Sequence, residues 1–349
     1  MTQLYDNLYK TIGLILAENG ETRTLSLLRI VNKVVSKAVS NIDEPLVFEY
    51  DSSTSMKIYI VLKCTAFTSF GDGNTGTFKN IIDYEYREKD IYRIKIYRDK
   101  NEETDNILFR TSDLGSITKF ITLGNIGITN LNEIFYASDF NGMISPNFNT
   151  ANITTMECMF CVAQQFNQPI GHWDTSNVTN MANMFDGATE FNQPIGRWDV
   201  SQATNMHCMF YEAESFNQPI GRWRVSNVTN MSYMFYGAKS FNQPISNWDV
   251  SQVRDMGFMF SYAHKFNQPL EWSTDRVHNM ESMFENAQNF NQKINWNTSR
   301  VKNMDNLFED AGIHNQSLEF DVSSMDEMIK IVRNMGLDSQ KIRLIIETD

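Results

Sequence analysis

The sequence lacks the long apolar run of a membrane-spanning helix, since no stretch of about 18 consecutive apolar residues occurs in it. Cysteine is scarce as well, and the four present are too few for the disulfide framework of a small secreted domain. The first residues do not show the basic and apolar regions of a secretory signal, and neither end carries a lipid-attachment motif. These absences predict a soluble, intracellular protein, or one carried inside a larger assembly.

Basic residues are also in the minority, with 30 Lys and Arg against 42 Asp and Glu, a net charge of −12. Sequence-independent binding to nucleic acid depends on neutralising phosphates, so no nucleic-acid partner is expected. The glycine patterns of nucleotide-binding loops do not occur either, and no cofactor is expected. Hydrophobic residues make up 42 % of the chain, which is enough for a large core.

What the sequence does have is a tandem repeat. The phenylalanine of an apolar-Phe pair, usually Met-Phe, recurs every 25 residues from Phe135 to Phe260, then every 24 residues to Phe308. A block Phe-Asn-Gln-Pro-Ile and a tryptophan recur with the same period. The tryptophans are Trp173, Trp198, Trp223, Trp248, Trp272 and Trp296. A fixed period of this length is typical of solenoid proteins, in which each unit buries its apolar side against the next.

Apolar spacing within one unit predicts its local structure. Met181, Met184, Phe185 and Ala188 lie at i, i+3, i+4 and i+7, which predicts one face of a short helix with Asn180 as its N-cap. Proline in the Phe-Asn-Gln-Pro-Ile block predicts an extended segment, and the Asp after several tryptophans predicts a turn. The predicted fold is therefore an α/β repeat solenoid, with about eight stacked units.

The asparagine of each Phe-Asn-Gln block keeps its place in the register. It recurs, with one irregular member at each end, at Asn141, Asn167, Asn192, Asn217, Asn242, Asn267, Asn291 and Asn315. A buried amide at a fixed position can satisfy backbone groups of the neighbouring unit, so these residues predict an asparagine ladder. The alternative is a composition bias at the surface, although such a bias would not hold a register.

The whole unit, Phe-Asn-Gln-Pro-Ile-x-x-Trp-Asp-Val-Ser-x-Val-Thr-Asn-Met-x-x-Met-Phe-x-x-Ala, resembles the mycoplasma-type surface-protein repeat, which belongs with the BspA-like leucine-rich repeats. The resemblance covers about residues 125–330. It implies a leucine-rich-repeat-like solenoid with parallel extended segments on one face, used for adhesion or protein binding. Repeats of this type occur in bacterial surface proteins, in protists and in large DNA viruses, and a viral origin would imply the host cytoplasm or the virion.

The chain before the repeats has a different pattern and predicts a smaller α+β domain. Its helical periodicity lies in residues 1–42 and its β-rich part in residues 43–118, followed by the solenoid at 119–330 and a C-terminal cap at 331–349. Four strands are expected, Leu46–Tyr50, Met56–Phe67, Ile81–Tyr86 and Ile91–Arg98, with a hairpin turn at Gly71–Asn74. Residues 24–33 have a weak similarity to the second half of an F-box, without its Leu-Pro opening; the alternative is an ordinary amphipathic helix.

Residue types that often carry chemistry do not form a recognisable constellation. Cys158 and Cys161 have the spacing of a redox or half-zinc motif, but the same positions in other units vary freely and no second such pair exists. They are expected to be two partly exposed thiols. The histidines lie in different units without a nucleophile at a known spacing. No catalytic or metal-binding residue is therefore predicted.

Two surface features remain as candidate partner-binding sites. In the later units, basic residues replace Thr, Asn or Gln ahead of the repeat methionine, and stacking would align them into a basic ridge: Arg254, Arg276, His278, Arg300 and Lys302. An acidic partner could dock there, although a solvated edge of scattered charge is the alternative. The second feature is an aromatic cluster at variable positions: Tyr211, Tyr233, Tyr236, Phe258 and Tyr262. Exposed aromatics concentrate binding energy, although packing between units is the alternative.

These observations predict a non-enzymatic protein–protein interaction module that uses the solenoid as its platform, with no cofactor and no small-molecule substrate. Two further hypotheses stay open. One is a structural or virion-associated protein of a large DNA virus, as the resemblance allows. The other is a ubiquitin-ligase substrate adaptor, in which the F-box-like segment recruits the ligase.

Overall fold

The computed structural model describes residues 45–98, 109–111, 116–124 and 127–312. The predicted helical pair at 1–42, the F-box-like segment and the C-terminal cap at 331–349 lie outside these residues. The described part contains a β-sheet followed by a stack of coils and has no α-helix. It consequently offers no helix with the length and hydrophobicity to cross a membrane.

A sheet of seven strands precedes and joins the repeats. The strands are β1 Leu46–Asp51, β2 Lys57–Ser69, β3 Thr75–Glu85, β4 Ile91–Arg98, β5 Phe109–Thr111, β6 Ile117–Thr122 and β7 Met143–Ile144. They lie in the order β3-β2-β4-β1-β6-β7, and β5 pairs with β2. All pairs are antiparallel except β6 with β7. The four predicted strands are present, although β3 begins six residues before its predicted start, at Thr75 instead of Ile81.

Alternate residues of the central strands form the core of the sheet, as the period of two in a β-strand requires. The fully buried ones include Phe48, Tyr50, Ile58, Ile60, Ile94 and Ile96. The predicted turn connects β2 to β3, and Gly71 and Gly73 there have φ of 87° and 93°, which favour glycine. Tyr86 stacks on Tyr92 with ring centroids 4.2 Å apart, and burial raises the pKa of Tyr86.

The repeats form eight successive coils, which we number by the residue that begins each Met-to-Ala segment. These residues are Leu131, Met156, Met181, Met206, Met231, Met256, Met280 and Met304. The residue just before each one forms a parallel β-bridge with its counterpart in the next coil, from Asn130 to Asn303. Each coil is thus registered on its neighbours at one fixed point, and equivalent residues lie in columns along the stack.

The predicted short helix in each unit is wrong, because the Met-to-Ala segment is a run of β-turns that we call the turn ladder. In coil three, alternate N–H groups from Met181 to Gly187 donate to carbonyls of coil four. The N–H groups of Met184, Asp186 and Ala188 donate three residues back, and that of Ala182 donates to the Asn180 side chain at 3.1 Å. Every N–H of the segment therefore has an acceptor without an α-helical bond, and bonds to the next coil and within β-turns take the place of the helical ones.

Left-handed backbone conformation at every fourth residue also excludes a helix. In coil three, Asn183 and Gly187 have φ of 56° and 67°. A right-handed helix contains no such residues. The predicted N-cap residue, Asn180, does accept a backbone N–H two residues ahead, but it opens a turn instead of a helix.

Aromatic columns fill the interior of the stack, as the register predicts. Phe210 stacks on Phe235 of the next coil with centroids 5.6 Å apart, and on Phe216 of its own coil at 4.0 Å. Trp223 stacks on Trp248 at 6.4 Å with the rings only 3° from parallel. The six tryptophans form one continuous column with equivalent spacings. Identical residues therefore cover one another, and the predicted columns are confirmed.

The predicted asparagine ladder is confirmed from Asn141 to Asn291, with two corrections. The Asn217 Oδ1 accepts the backbone N–H of Asn242 at 2.9 Å, as expected. It also accepts Gln243 Nε2 at 3.0 Å, so the glutamine of each block takes part. Most of the amides are half-buried instead of buried. Asn315 lies outside the described residues.

The sheet closes the first end of the coil stack. β6 crosses residue 119, where the sequence predicts the start of the solenoid, and its Phe120 pairs with Ile144 of β7. The Phe120 ring contacts Phe135, Phe140 and Phe148 at centroid distances of 5.4, 5.8 and 5.9 Å. The apolar side of coil one is thus covered by a strand of the sheet, which serves as the end cap that a solenoid needs.

Candidate functional site

Each turn ladder presents one surface outward, which we call the turn face. In coil five, Met231, Met234, Phe235 and Ala238 are fully buried. The positions between them are occupied by Ser232, Tyr233, Tyr236 and Gly237, and the two tyrosines are half-buried. The same four positions of every coil make up the turn face, so its columns lie directly outside the aromatic interior.

The structure brings the predicted aromatic cluster together on the turn face of coils four to six. Tyr211 stacks on Tyr236 with centroids 4.6 Å apart, and Tyr233 stacks on Phe258 at the same distance. The Tyr262 ring contacts Tyr236 in a tilted arrangement, with centroids 5.5 Å apart and an interplanar angle of 54°. All five rings are half-buried. The rings pack on one another, as the packing alternative predicts, and still reach solvent.

Backbone strain accompanies the aromatic cluster. Tyr233, Phe258 and Tyr262 have φ of 59°, 58° and 57°, a left-handed conformation that is costly for large side chains. The turn ladder imposes this conformation at these positions, because the same columns are left-handed in every coil. The strain therefore arises from the repeat geometry, and glycine occupies one of these positions in coils three and five.

Carboxylates surround the tyrosine hydroxyls. Burial raises the pKa of Tyr236, and the charges of Glu285 and Glu212 raise it further. Burial and then Glu212 raise the pKa of Tyr211 to about 12. For Tyr262 the Glu285 carboxylate is the main cause of a raised pKa, and the two side chains lie 3.4 Å apart, Oη to Oε1. The cluster thus lies in a negative local potential, which the sequence reasoning did not predict.

The predicted basic ridge forms two neighbouring columns. The N–H of Arg254 donates to Thr229, that of His278 to Arg254 and that of Lys302 to His278, at 2.8 to 2.9 Å. Arg276 Nη1 donates to the Gln252 side chain at 2.5 Å in the second column.

Arg300 belongs to the same second column, and acidic Asp275 lies beside it. Hydrogen bonds from Ser273 and Asn297, with the Arg300 charge, lower the pKa of Asp275. The alignment of the ridge is therefore as expected, and part of its charge is offset.

The two cysteines with redox spacing close one β-turn, with the Cys161 N–H donating to the Cys158 carbonyl at 3.2 Å. A hydrogen bond from Cys161 lowers the pKa of Cys158, and the same bond and burial raise the pKa of Cys161. Cys158 is half-buried and Cys161 is buried, so only one of the two thiols is partly exposed. Within the described ranges no group of three or more His, Cys, Asp and Glu residues is arranged to hold a metal ion.

One polar contact was not expected from the sequence. His207 lies 2.8 Å from the Ser232 hydroxyl through Nδ1, and its Nε2 lies 3.2 Å from the Cys208 Sγ. Burial is the main cause that raises the pKa of Cys208 to about 12. A raised pKa disfavours the thiolate, which is the nucleophilic form of cysteine.

Comparison with known proteins assigns the coil stack to a family. Four overlapping stretches, residues 116–220, 193–276, 210–320 and 270–343, match the family described as "Mycoplasma protein of unknown function, DUF285". Together they extend over more than half of the chain. No curated protein and no solved structure matches the chain. The repeat is thus the part that this chain shares with its family.

Proposed function

The chain belongs to the DUF285 family, whose function is unknown, and we propose that it is a non-enzymatic protein-binding module with the turn face as its contact surface. The observation that carries this proposal is the aromatic cluster. Five half-buried rings lie side by side on coils four to six, directly outside a rigid stacked interior.

The rigidity of the support favours binding. Tyrosine provides a large contact area with few rotatable bonds, and binding energy in protein interfaces concentrates in such residues. Here each ring is already held by its neighbours in the adjacent coils, so little conformational entropy remains to be lost on association. The cluster thus combines solvent access with order, and these two properties characterise binding hot spots.

The coil geometry supports a further expectation, that the stack is a variant of the BspA-like leucine-rich-repeat solenoid. Each coil forms one parallel bridge with the next, and an asparagine side chain at a fixed position bonds the backbone of the following coil. Both features suit a leucine-rich-repeat-like arrangement in which turns take the place of helices. The basic ridge remains a second candidate contact, for an acidic surface of the same or another partner.

Affinity purification with mass spectrometry tests the proposal. We expect the full chain to enrich a defined protein partner, and the double variant Tyr236→Ala/Phe258→Ala to lose it. The double variant should keep a cooperative unfolding transition, because half-exposed side chains contribute less to stability than core residues.

Tyr136→Ala is the matched control. Tyr136 lies on the turn face of coil one, 52 % exposed and outside the aromatic cluster, so its removal should leave the partner bound. Retention of the same partner by the folded double variant would contradict the proposal, as would a wild-type chain that enriches no protein. Arg254→Gln/Lys302→Gln, measured beside them, reports whether the basic ridge contributes.

A further inference from the structure

Charge on the turn face has a single sign. Nine of its thirty-two positions in the eight described coils are acidic, and none is Lys or Arg. The nine are Glu133, Glu157, Asp186, Glu212, Glu281, Glu285, Asp305, Glu309 and Asp310. All ten Lys and Arg between residues 131 and 312 lie elsewhere on the coils. A surface of scattered charge would mix the signs, so this segregation distinguishes the turn face from the rest of the stack.

The acids lie on both sides of the aromatic cluster along the stack. Asp186 precedes it on coil three, Glu212 lies next to Tyr211 on coil four, and Glu281 and Glu285 follow it on coil seven. The carboxylates are close to one another as well as to the rings: burial and then the Glu212 charge raise the pKa of Asp186 to about 6. Mutual repulsion of this kind favours a ligand that brings positive charge.

An unsatisfied polar atom lies at the junction of rings and acids. Ser261 occupies the column between Tyr236 of coil five and Glu285 of coil seven. Its side chain is fully buried, and its hydroxyl makes no hydrogen bond within the described residues. Buried hydroxyls normally have a hydrogen-bond partner, so Ser261 is an exception within the described residues, beneath the rings and the acids.

We infer that the partner of the turn face presents a cationic segment, whose Lys or Arg side chains contact the aromatic cluster and pair with Glu281 and Glu285. The inference rests on the proposed function and names the chemistry of the partner. A guanidinium or ammonium group is attracted to the face of a tyrosine ring and to a carboxylate, and Tyr236, Tyr262 and Glu285 provide both.

The charge pattern decides between cationic and acidic partners. An acidic surface on the turn face would meet only carboxylates, which costs free energy and slows association. An arginine-rich segment instead meets complementary charge at both ends of the cluster and rings in its middle. Arginine is also enriched in the cores of protein interfaces, where it stacks on aromatic side chains.

A titration with a labelled oligo-arginine peptide tests the inference on the full chain. We expect saturable binding that weakens as salt rises from about 0.05 M to about 0.5 M, because screening shortens the range of the carboxylates. Tyr236→Leu should weaken binding about threefold through loss of the cation–π contact. Glu285→Gln should weaken it by a similar factor, about threefold, through loss of one exposed ion pair. An oligo-glutamate peptide of equal length should not bind the turn face.

Two controls separate site binding from simple attraction to an acidic protein. Tyr136→Leu removes an equivalent tyrosine outside the cluster, and Glu271→Gln removes an exposed acid that is not on the turn face. Both should bind the peptide as the wild type does. Equal weakening by the controls and the site variants would overturn the inference, and so would absence of peptide binding.

The two proposals fail separately. If the wild type enriches a protein that Tyr236→Ala/Phe258→Ala loses, and the oligo-arginine peptide does not bind, the protein-binding function stands and the cationic partner is wrong. If peptide binding depends on Tyr236 and Glu285 while no protein is enriched, the surface has the inferred chemistry and the proposed function is wrong.

Discussion

Phe235 and Tyr236 are neighbours in the chain and belong to two different regions of the molecule. Phe235 points into the stack, where the same column holds phenylalanine in all eight coils. Tyr236 lies on the turn face, where the same column holds Tyr, Cys, Asp, Tyr, Tyr, Ser, Glu and Glu in turn. The interior column keeps one residue type and the outer column does not. The interior therefore sets the fold, while residues of the turn face can vary without changing it.

Truncation of the two neighbours should separate the regions most clearly. We expect Phe235→Ala to lower the free energy of unfolding by about 3–5 kcal/mol, because it opens a cavity between stacked rings. Tyr236→Ala should cost about 1 kcal/mol, since its ring is half-exposed. Urea unfolding followed by tryptophan fluorescence measures both. Equal losses would show that the turn face is part of the structural core.

The asparagine ladder allows the next comparison, between the stability contributed by an asparagine in the middle of the stack and by one at its first end. Asn217→Ala leaves the Asn242 N–H without its acceptor and leaves the Gln243 amide only the backbone carbonyl of residue 217, and we expect a loss of about 2 kcal/mol. Asn141→Ala should cost less, about 1 kcal/mol, because Asn141 is exposed and water can replace it. The same unfolding experiment applies, and a larger loss at exposed Asn141 than at half-buried Asn217 would contradict this account of the ladder.

Asp186 lies on the turn face and titrates, so it should make stability depend on pH, whereas the apolar side chains of the interior do not titrate. Its folded-state pKa of about 6 lies above the ordinary value of 3.8, so the folded protein binds its proton more tightly than the unfolded chain. Stability from this group is therefore greatest below about pH 4 and falls as the pH rises to about 6.

Replacement by asparagine removes this dependence. We expect Asp186→Asn to stabilise the protein by about 1 kcal/mol near pH 7, a figure reduced for solvent screening of a partly exposed group. The gain should vanish below about pH 4, where the native aspartate is protonated in both states. Unfolding curves at the two pH values give the difference, and a gain that is constant with pH would exclude Asp186 as its source.

Strain in the turn ladder predicts the smallest effect. Val162 has φ of 59°, and the equivalent residues in coils three and five are Gly187 and Gly237. Val162→Gly should stabilise the protein by about 0.5–1 kcal/mol, the relief of left-handed strain less the entropy of glycine. Gly187→Val should destabilise the protein, because valine is strained at the left-handed φ of this position. A Cβ there would meet no atom closer than 3.5 Å, so the cost is conformational and not a clash. Thermal unfolding should show a raised midpoint for Val162→Gly and a lowered one for Gly187→Val; shifts of the same sign would contradict the prediction.

Periodicity predicted which residues of each coil are buried but not their backbone. Met181, Met184, Phe185 and Ala188 are buried, as i, i+3, i+4 and i+7 predict. Successive β-turns place the same positions on one side, so the pattern fits a helix and a turn ladder equally. The choice is made by hydrogen bonds to the next coil, such as Phe185 N–H to Met209, which no single unit reveals.

The candidate site was predictable in its residues but not in its electrostatics. Register alone places Tyr211 with Tyr236, because equivalent positions of stacked units must meet. The sequence does not predict the acidic turn face, because a helix would spread the same positions over a broader surface and mix them with other columns. The contact of Cys208 with His207 depends on side-chain conformation, for which sequence spacing carries no signal.

The central claim is that the turn face can be exchanged without loss of the fold that supports it. Tyr233→Asn, Tyr236→Ser and Phe258→Ser introduce residues that the same columns already hold as Asn183, Ser261 and Ser282. Titration of the oligo-arginine peptide against this triple variant is the most direct test. We predict a chain with wild-type cooperative unfolding that binds the peptide at least about tenfold more weakly, because three ring contacts are lost together. Wild-type affinity, or a chain that has lost its cooperative transition, would contradict the separation of the two regions.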